Sequence, residues 1–410
     1  MGADRIPLIE TSRRGLVRGA GIAASAGLLA GLPLTALAAQ ANQGEQSAAA
    51  FAELLAALAE AERVGLSPAY GVTTEQDRAE GRRFLLHSLL ASITFWLDAD
   101  PDRPRWSRFV SSQQKLLGDN PDAIYFTAPV RPTGRYVIRG NIAGAAYTSF
   151  TVETGTADGG PSQKLAATLN DTQFDRGPDG SYEIHVGGPP RPRNWLALDP
   201  DAGSITTRHY YERPKPAAAD PSLFIPLTIE PVEPIPAGMR PSDASIAAGI
   251  RRAIRFFRFV TLDRLPDPAK LPPYISRVPN IFARPQPLGS NRSTGFAAAD
   301  NVYLASSFDL KADEALVMRG RFPRARFVNV VLWNQFTQTL DYGHRPVSLN
   351  RAQTKLEADG SFRITLAHRD PGTGNWLDTE GRQQGRIFWR FLLPEEPIAP
   401  IETELVTLRA

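Results

Sequence analysis

Beyond its first quarter, this chain is dominated by runs in which apolar and polar residues alternate at every second position, the period of half-buried strands. The clearest are Tyr136–Arg139, Ala146–Val152, Tyr182–Val186 and Thr206–Tyr211, then Ala315–Arg319, Arg326–Trp333, Ser361–Leu366 and Gly385–Leu392. Three segments follow the helical period instead. Phe51, Leu54, Leu55 and Leu58 share one face, and Gly65 and Pro68 close that segment. Thr74 with Asp77 three residues later reads as a capped start for a second helix through Leu85, Leu89, Ile93 and Trp96, ended by Pro101 and Pro104. After Pro241-Ser242-Asp243, a third carries Ile246, Ile250, Ile254, Phe257 and Val260 on one face and Arg251, Arg252, Arg255 and Arg258 on the other. Proline-rich stretches at 213–240 and 266–287 have no helical period and read as extended connections.

The strand pattern is written twice. Asn194-Trp195-Leu196 leads to Arg208-His209-Tyr210-Tyr211, and Asn375-Trp376-Leu377 leads to the strand from Arg386 to Phe391. Tyr125 precedes Arg139-Gly140 as Tyr303 precedes Arg319-Gly320, with Gly140 lying 55 residues before Trp195 and Gly320 lying 56 before Trp376. An Asp-Gly-Ser turn falls between each time, at Asp179-Gly180-Ser181 and Asp359-Gly360-Ser361. Landmarks in the same order at nearly the same distances predict an internal duplication. In this alignment Arg386 is the counterpart of Arg208.

An Asn-Trp-Leu triplet, then about a dozen residues and an Arg-x-aromatic strand, resembles the closing signature of the bacterial family called domain of unknown function 1214. The likeness spans most of 115–397 across both copies and is fullest in the first, where Arg208-His209-Tyr210 ends in Arg213-Pro214. The second departs from it, with Trp389 in place of a Tyr and Asp378-Thr379-Glu380 in place of a Pro-containing run. The resemblance implies jelly-roll-like β-sandwiches, a relation to domain of unknown function 1254, and an activity that is largely unassigned. The expected fold is therefore mainly β with a helical N-terminal element. Two jelly-roll-like sandwich modules from an internal duplication are joined by a Pro-rich segment and a basic amphipathic helix. The expected boundaries are a helical element at 46–114, a first module at 115–215, a connection at 216–290 containing a helix at 243–262, and a second module at 291–410.

Composition changes this picture at one end. Arg13-Arg14 followed by an uncharged Ala/Gly/Leu-rich run from Gly19 to Ala39, with Ala36-Leu37-Ala38 near its close, reads as a twin-arginine-type signal peptide over 1–38. That predicts a periplasmic or secreted protein. The formal charge of +3 owes a surplus of 2 to those residues, so the rest of the chain is near neutral and no nucleic-acid partner is expected. There is no cysteine, which excludes disulfides and thiolate chemistry, and five histidines are few for a multi-histidine metal centre. Neither metal nor cofactor is expected. Gly118-Asp119-Asn120-Pro121-Asp122 clusters oxygen ligands of the sort calcium takes, but turn chemistry explains the same residues. His87 reads as a structural histidine within an apolar helix.

Known catalytic devices are missing: the chain has no Gly-x-Ser-x-Gly elbow, phosphate loop, dinucleotide fingerprint or zinc-binding His-Glu-x-x-His. Two constellations remain. The first groups Trp195 with Arg208 and Tyr210, near Asp199 and Glu212; alternation puts Arg208 and Tyr210 on one strand face and His209 and Tyr211 on the other. The second gathers Trp333, Asn334 and Gln335 at the end of an apolar strand, followed by Asp341, Tyr342 and His344. The leading reading is a binding protein for a small polar or glycan-like ligand, held by Trp195, Arg208, Tyr210, Trp333, Asn334 and Gln335. The alternative is a cofactor-independent hydrolase or lyase with His344, Asp341 and Tyr342 in acid–base roles. A third makes Arg251, Arg252 and Arg255 a contact for an anionic membrane surface or a partner, and the N-terminal helices an oligomer interface.

Overall fold

The computed structural model describes residues 45–235, 240–263, 271–287 and 296–408, so the segment read as a signal peptide lies outside the described residues. Helix α1 (Gln46–Glu60) and helix α2 (Glu75–Trp96) come first. Nine strands follow: β1 (Ser107–Arg108), β2 (Ala123–Pro129), β3 (Tyr136–Asn141), β4 (Tyr147–Thr154), β5 (Leu165–Asn170), β6 (Ser181–Val186), β7 (Trp195–Leu196), β8 (Ala202–Tyr210) and β9 (Leu227–Pro231). Helix α3 (Asp243–Arg258) precedes β10 (Asn301–Asp309), β11 (Glu314–Gly320), β12 (Phe327–Trp333), β13 (Ser348–Asn350), β14 (Phe362–Ala367), β15 (Trp376–Asp378), β16 (Gln384–Leu392) and β17 (Glu402–Thr407).

The strands form four sheets in two sandwich-like halves. In the first half, sheet β1-β2-β8-β4-β5 packs on sheet β7-β6-β3-β9; in the second, β10-β16-β12-β13 packs on β15-β14-β11-β17. Apart from β1, the strand order of the second half is that of the first with eight added to every number. Cross-strand pairing fixes the equivalences residue by residue. Tyr125 faces Arg208 across β2 and β8, and Tyr303 faces Arg390 across β10 and β16. Tyr147 faces Tyr210 where Phe327 faces Leu392. The counterpart of Arg208 is thus Arg390, four residues beyond the Arg386 that the Arg-x-aromatic pattern picks out; Arg390 lies 14 residues after Trp376, and Arg208 lies 13 after Trp195.

The repeated landmarks are framework. Asn194 donates to Glu183 O (2.8 Å) and accepts from Asp175 N, and Asn375 donates to Arg363 O (3.0 Å) and accepts from Lys355 N. Each tryptophan indole then bonds to a carbonyl of the neighbouring strand, Trp195 to Gly187 O and Trp376 to Ala367 O, both at 3.0 Å. Gly140 and Gly320 are glycine for one reason. Their cross-strand partners Tyr182 and Phe362 lay a ring over them, and a Cβ would run into it.

Because the two middle sheets are covered on both sides, every residue of β8 is buried. Ile205 and its neighbours face the first sandwich core with Phe150, Ile138 and Ile184, whereas Tyr210 meets Phe327 and Leu392 of the second half. The second core is built around Trp389, Phe362, Leu332 and Met318. A third cluster, mostly from α1, α2 and α3, includes Phe95, Phe256 and Phe257 and reaches Tyr125 and Phe296 at the joint between the halves.

Several expectations need correction. The first sandwich does not close at residue 215: β9, inside the proline-rich stretch, pairs with β3 along one side only, as an edge strand flanked by Pro226 and ending at Pro231 can. In α1 the buried face is Ala50 and Ala57, while Phe51 is exposed. In α3, Gly249, Ala253, Phe256 and Phe257 are buried and Ile246 is exposed. Small residues let these helices approach closely; a Cβ on Gly249 would collide with Leu97 O of the segment after α2. The capping boxes at Thr74/Asp77 and Ser242/Ser245 are formed.

Candidate functional site

The contact between the two halves is built from reciprocal pairs. Arg208 of the first half donates Nη2 to Phe296 O of the second (3.0 Å), and Arg390 of the second donates Nη2 to Gly118 O before the first (2.8 Å). Asn170 bonds Asp300 at 2.9 Å, and Asn350 bonds Asp122 at 3.0 Å. Gly118 and Phe296 each stand four residues before the aspartate of their own half, so the exchange follows an approximate twofold relation.

Asp122 is wholly buried and accepts from the amides of Asn329 (2.9 Å) and Asn350. Desolvation outweighs those donors and raises its pKa to about 6. A folded-state pKa above the unfolded value means that the native protein holds this proton between about pH 4 and 6 when the unfolded chain has released it. Stability therefore falls as pH rises through that window, by roughly 2–3 kcal/mol from this group. Urea midpoints for the wild type and Asp122→Asn across pH 4–7 should differ by such a slope; parallel curves would refute it.

The joint brings together residues that sequence reasoning left apart. Tyr125, Arg208 and Tyr210 come from the first inner sheet, and Tyr303, Trp333, Phe388 and Arg390 from the second. Both Tyr125 and Tyr303 have their hydroxyl pKa raised, chiefly by burial, while the fields of Arg390 and Arg208 pull the other way. Trp333 and Phe388 have ring centroids 4.3 Å apart, Phe388 and Tyr303 5.1 Å, and Tyr303 and Tyr274 5.4 Å. The guanidinium of Arg390 lies 4.8 Å from the Phe388 centroid and 5.1 Å from that of Trp333. Arg390 is 4 % exposed, and its Nη1 is buried with no hydrogen-bond partner among the described residues.

Arg208 and Tyr210 share a face, as alternation requires, but Trp195 stands in the outer sheet and does not join them. Of the second constellation, only Trp333 belongs to the joint; its indole donates to Asp119 O at 2.9 Å. Asn334 shapes the following turn by accepting from Phe336 N and Gln338 N, and its amide donates to Glu80 on α2. Gln335 sits in the same loop beside Gly71. His344 and Asp341 meet at 2.9 Å, but on an outer turn where the histidine side chain is 84 % exposed, and bulk water shields such a pair. Tyr342 turns the other way, buried under Lys115 Nζ at 4.5 Å. The proposed acid–base trio is therefore split between solvent and core.

The loop with calcium-like composition is occupied internally. Asp119 accepts from Thr339 N and its hydroxyl, and Asn120 from Asn329. His87, pulled down to about 4 by burial and hence neutral, accepts from Lys115 N. The basic face of α3 is likewise engaged: Arg251 pairs with Glu53, Arg255 with Asp158 and Arg258 with Glu60, and Arg252 donates to Trp96 O. Phe51, Leu86, Leu90 and Ile93 of α1 and α2 are exposed.

Sequence reasoning missed Arg390, Phe388 and Glu153 and took Tyr125 and Tyr303 only as landmarks. The available signal was the repeat itself, had its last strand been moved four residues.

Residues 306–396 match a family model described as a protein of unknown function, DUF1214. A crystal structure of an uncharacterized protein from Burkholderia cenocepacia aligns over 88 % of this chain and 97 % of its own, with a TM-score of 0.76 and 26 % identity. A Vibrio parahaemolyticus protein aligns over 80 % of this chain and 98 % of its own at a TM-score of 0.45 and 12 % identity. No curated protein matches. Among the described residues no helix is long and apolar enough to cross a membrane.

Proposed function

We propose that this chain is a binding protein whose small organic ligand sits between the two inner sheets, against Trp333, Phe388, Tyr303 and Arg390. The observation that supports this reading is the unpartnered Nη1 of Arg390. A buried donor left unsatisfied costs roughly 1–3 kcal/mol, more when charged, so a site that keeps one has a use for it. Aromatic walls with one directed charged donor are what a small-molecule site needs. The Arg13-Arg14 segment and the apolar run after it support export by the twin-arginine route. The matching strand orders and reciprocal contacts support two copies of one family module, so that the site formed where the copies meet.

A saturation-transfer NMR screen of monosaccharides, simple aromatic acids and alcohols against the full chain tests this. Binders are expected to lose most of their signal in Arg390→Gln and Phe388→Ala variants that keep the wild-type circular dichroism. Binders indifferent to both substitutions would place any ligand elsewhere and end the proposal.

A further inference from the structure

Arg208 and Arg390 hold equivalent positions but differ in what surrounds them. Beside Arg208, Thr151 accepts from Nη1 at 2.9 Å and the fully buried carboxylate of Glu153 lies 3.7 Å from Nη2. Ser162 Oγ and the amide of Phe296 donate to the other oxygen of that carboxylate, and Thr206 stands opposite Thr151 on the same face. Pairing register places Val331 opposite Phe388 and Trp333 opposite Arg386 where the first half has Thr151 opposite Thr206 and Glu153 opposite Ser204. The second half therefore has Val331, Trp333 and Phe388 where the first has Thr151, Glu153 and Thr206. Every group that satisfies Arg208 within its own sheet is replaced by an apolar one around Arg390. Asp119 and Asp122 exert a field on Arg390, but their oxygens are held by Thr339 and by the amides of Asn329 and Asn350.

Resting on the reading that this joint binds a ligand, we infer that the ligand is a monocarboxylate, whose acid group supplies to Arg390 what Glu153 supplies to Arg208. The first half is an internal template for the complex. One guanidinium matches one carboxylate in charge, and the unpartnered Nη1 of Arg390 offers that carboxylate a charge-assisted donor. A doubly charged phosphate would remain half neutralised by it. Trp333 and Phe388, standing where the template has Glu153 and Thr206, leave the rest of the ligand an apolar or planar surface to lie against. The acid can belong to an aromatic acid or to a sugar acid, and the experiment separates the two.

Calorimetry on the full chain would compare benzoate with benzamide and glucuronate with glucose. One acid is expected to bind at least tenfold more tightly than its neutral counterpart, and Arg390→Gln should remove that preference. Charge-assisted pairs in buried sites are commonly worth this much or more. A second variant reads the template directly. Glu153→Ala strips Arg208 of its carboxylate, and acetate should then raise the thermal midpoint of that variant and not of the wild type. If acid and neutral partner bind alike, or if only neutral members of the wider screen bind, the carboxylate assignment fails while the site stands. If nothing in the screen binds, both fall.

Discussion

Arg208→Met is expected to cost about 3–5 kcal/mol of stability, because it leaves the carboxylate of Glu153 buried without its cation. The substitution also releases Phe296 O, Ala297 O and Thr151 from their shared donor, loosening the joint from both sides. Burial already raises the pKa of Glu153, so the variant should bind a proton there and lose less at acid pH than at neutral pH. Arg390→Met makes the contrast. It removes a buried cation with one direct hydrogen bond and no carboxylate partner of its own, and the thioether packs against Trp333 and Phe388. Its loss without ligand should be within about 1 kcal/mol. Urea unfolding of the two variants decides this, and equal losses would show that the arginines do the same structural work.

The next largest effect is expected at Trp389, which is fully buried with ring centroids 5.3 Å from Phe362 and 5.9 Å from Phe391. Trp389→Ala opens a cavity in the second core and should cost about 3–5 kcal/mol. The equivalent position in the first half is Thr207, whose buried hydroxyl has no partner among the described residues. Thr207→Val should therefore be neutral or slightly stabilising, since it removes a stranded polar group at constant shape. Thermal midpoints of both variants test the pair. A large loss at Thr207 would mean that something hydrogen-bonds it inside the first sandwich, where His209 Nε2, Tyr182 and Tyr211 are also buried without partners among the described residues.

These contrasts show why the chain was only partly legible. Alternation located β3, β4, β6 and β8 and their second-half partners β11, β12, β14 and β16, because each has one or both faces in a core. It passed over β9, whose prolines imitate a linker, and β5, which is only half-buried for most of its length. It misjudged the helix faces because large side chains were given the weight, whereas Ala50 and Ala57 of α1 and Gly249 and Ala253 of α3 are among the buried positions and Phe51 and Ile246 are exposed. His344 and Asp341 drew attention as chemically capable residues close together in the chain. Proximity in sequence made them a turn on the surface.

By itself the sequence determined the local order of this protein: which residues share a strand face, where helices begin, and that one pattern of strands occurs twice. Period and turn chemistry act over a few residues, so they leave a readable trace. Only the tertiary structure decided that the two sandwiches meet along β8 and β16, and hence that Tyr125, Arg208, Tyr303 and Arg390 share one buried joint. That contact is set by how whole sheets fit and by which charges are neutralised across a gap. Residues hundreds of places apart settle it, and nothing in their immediate neighbours records the choice.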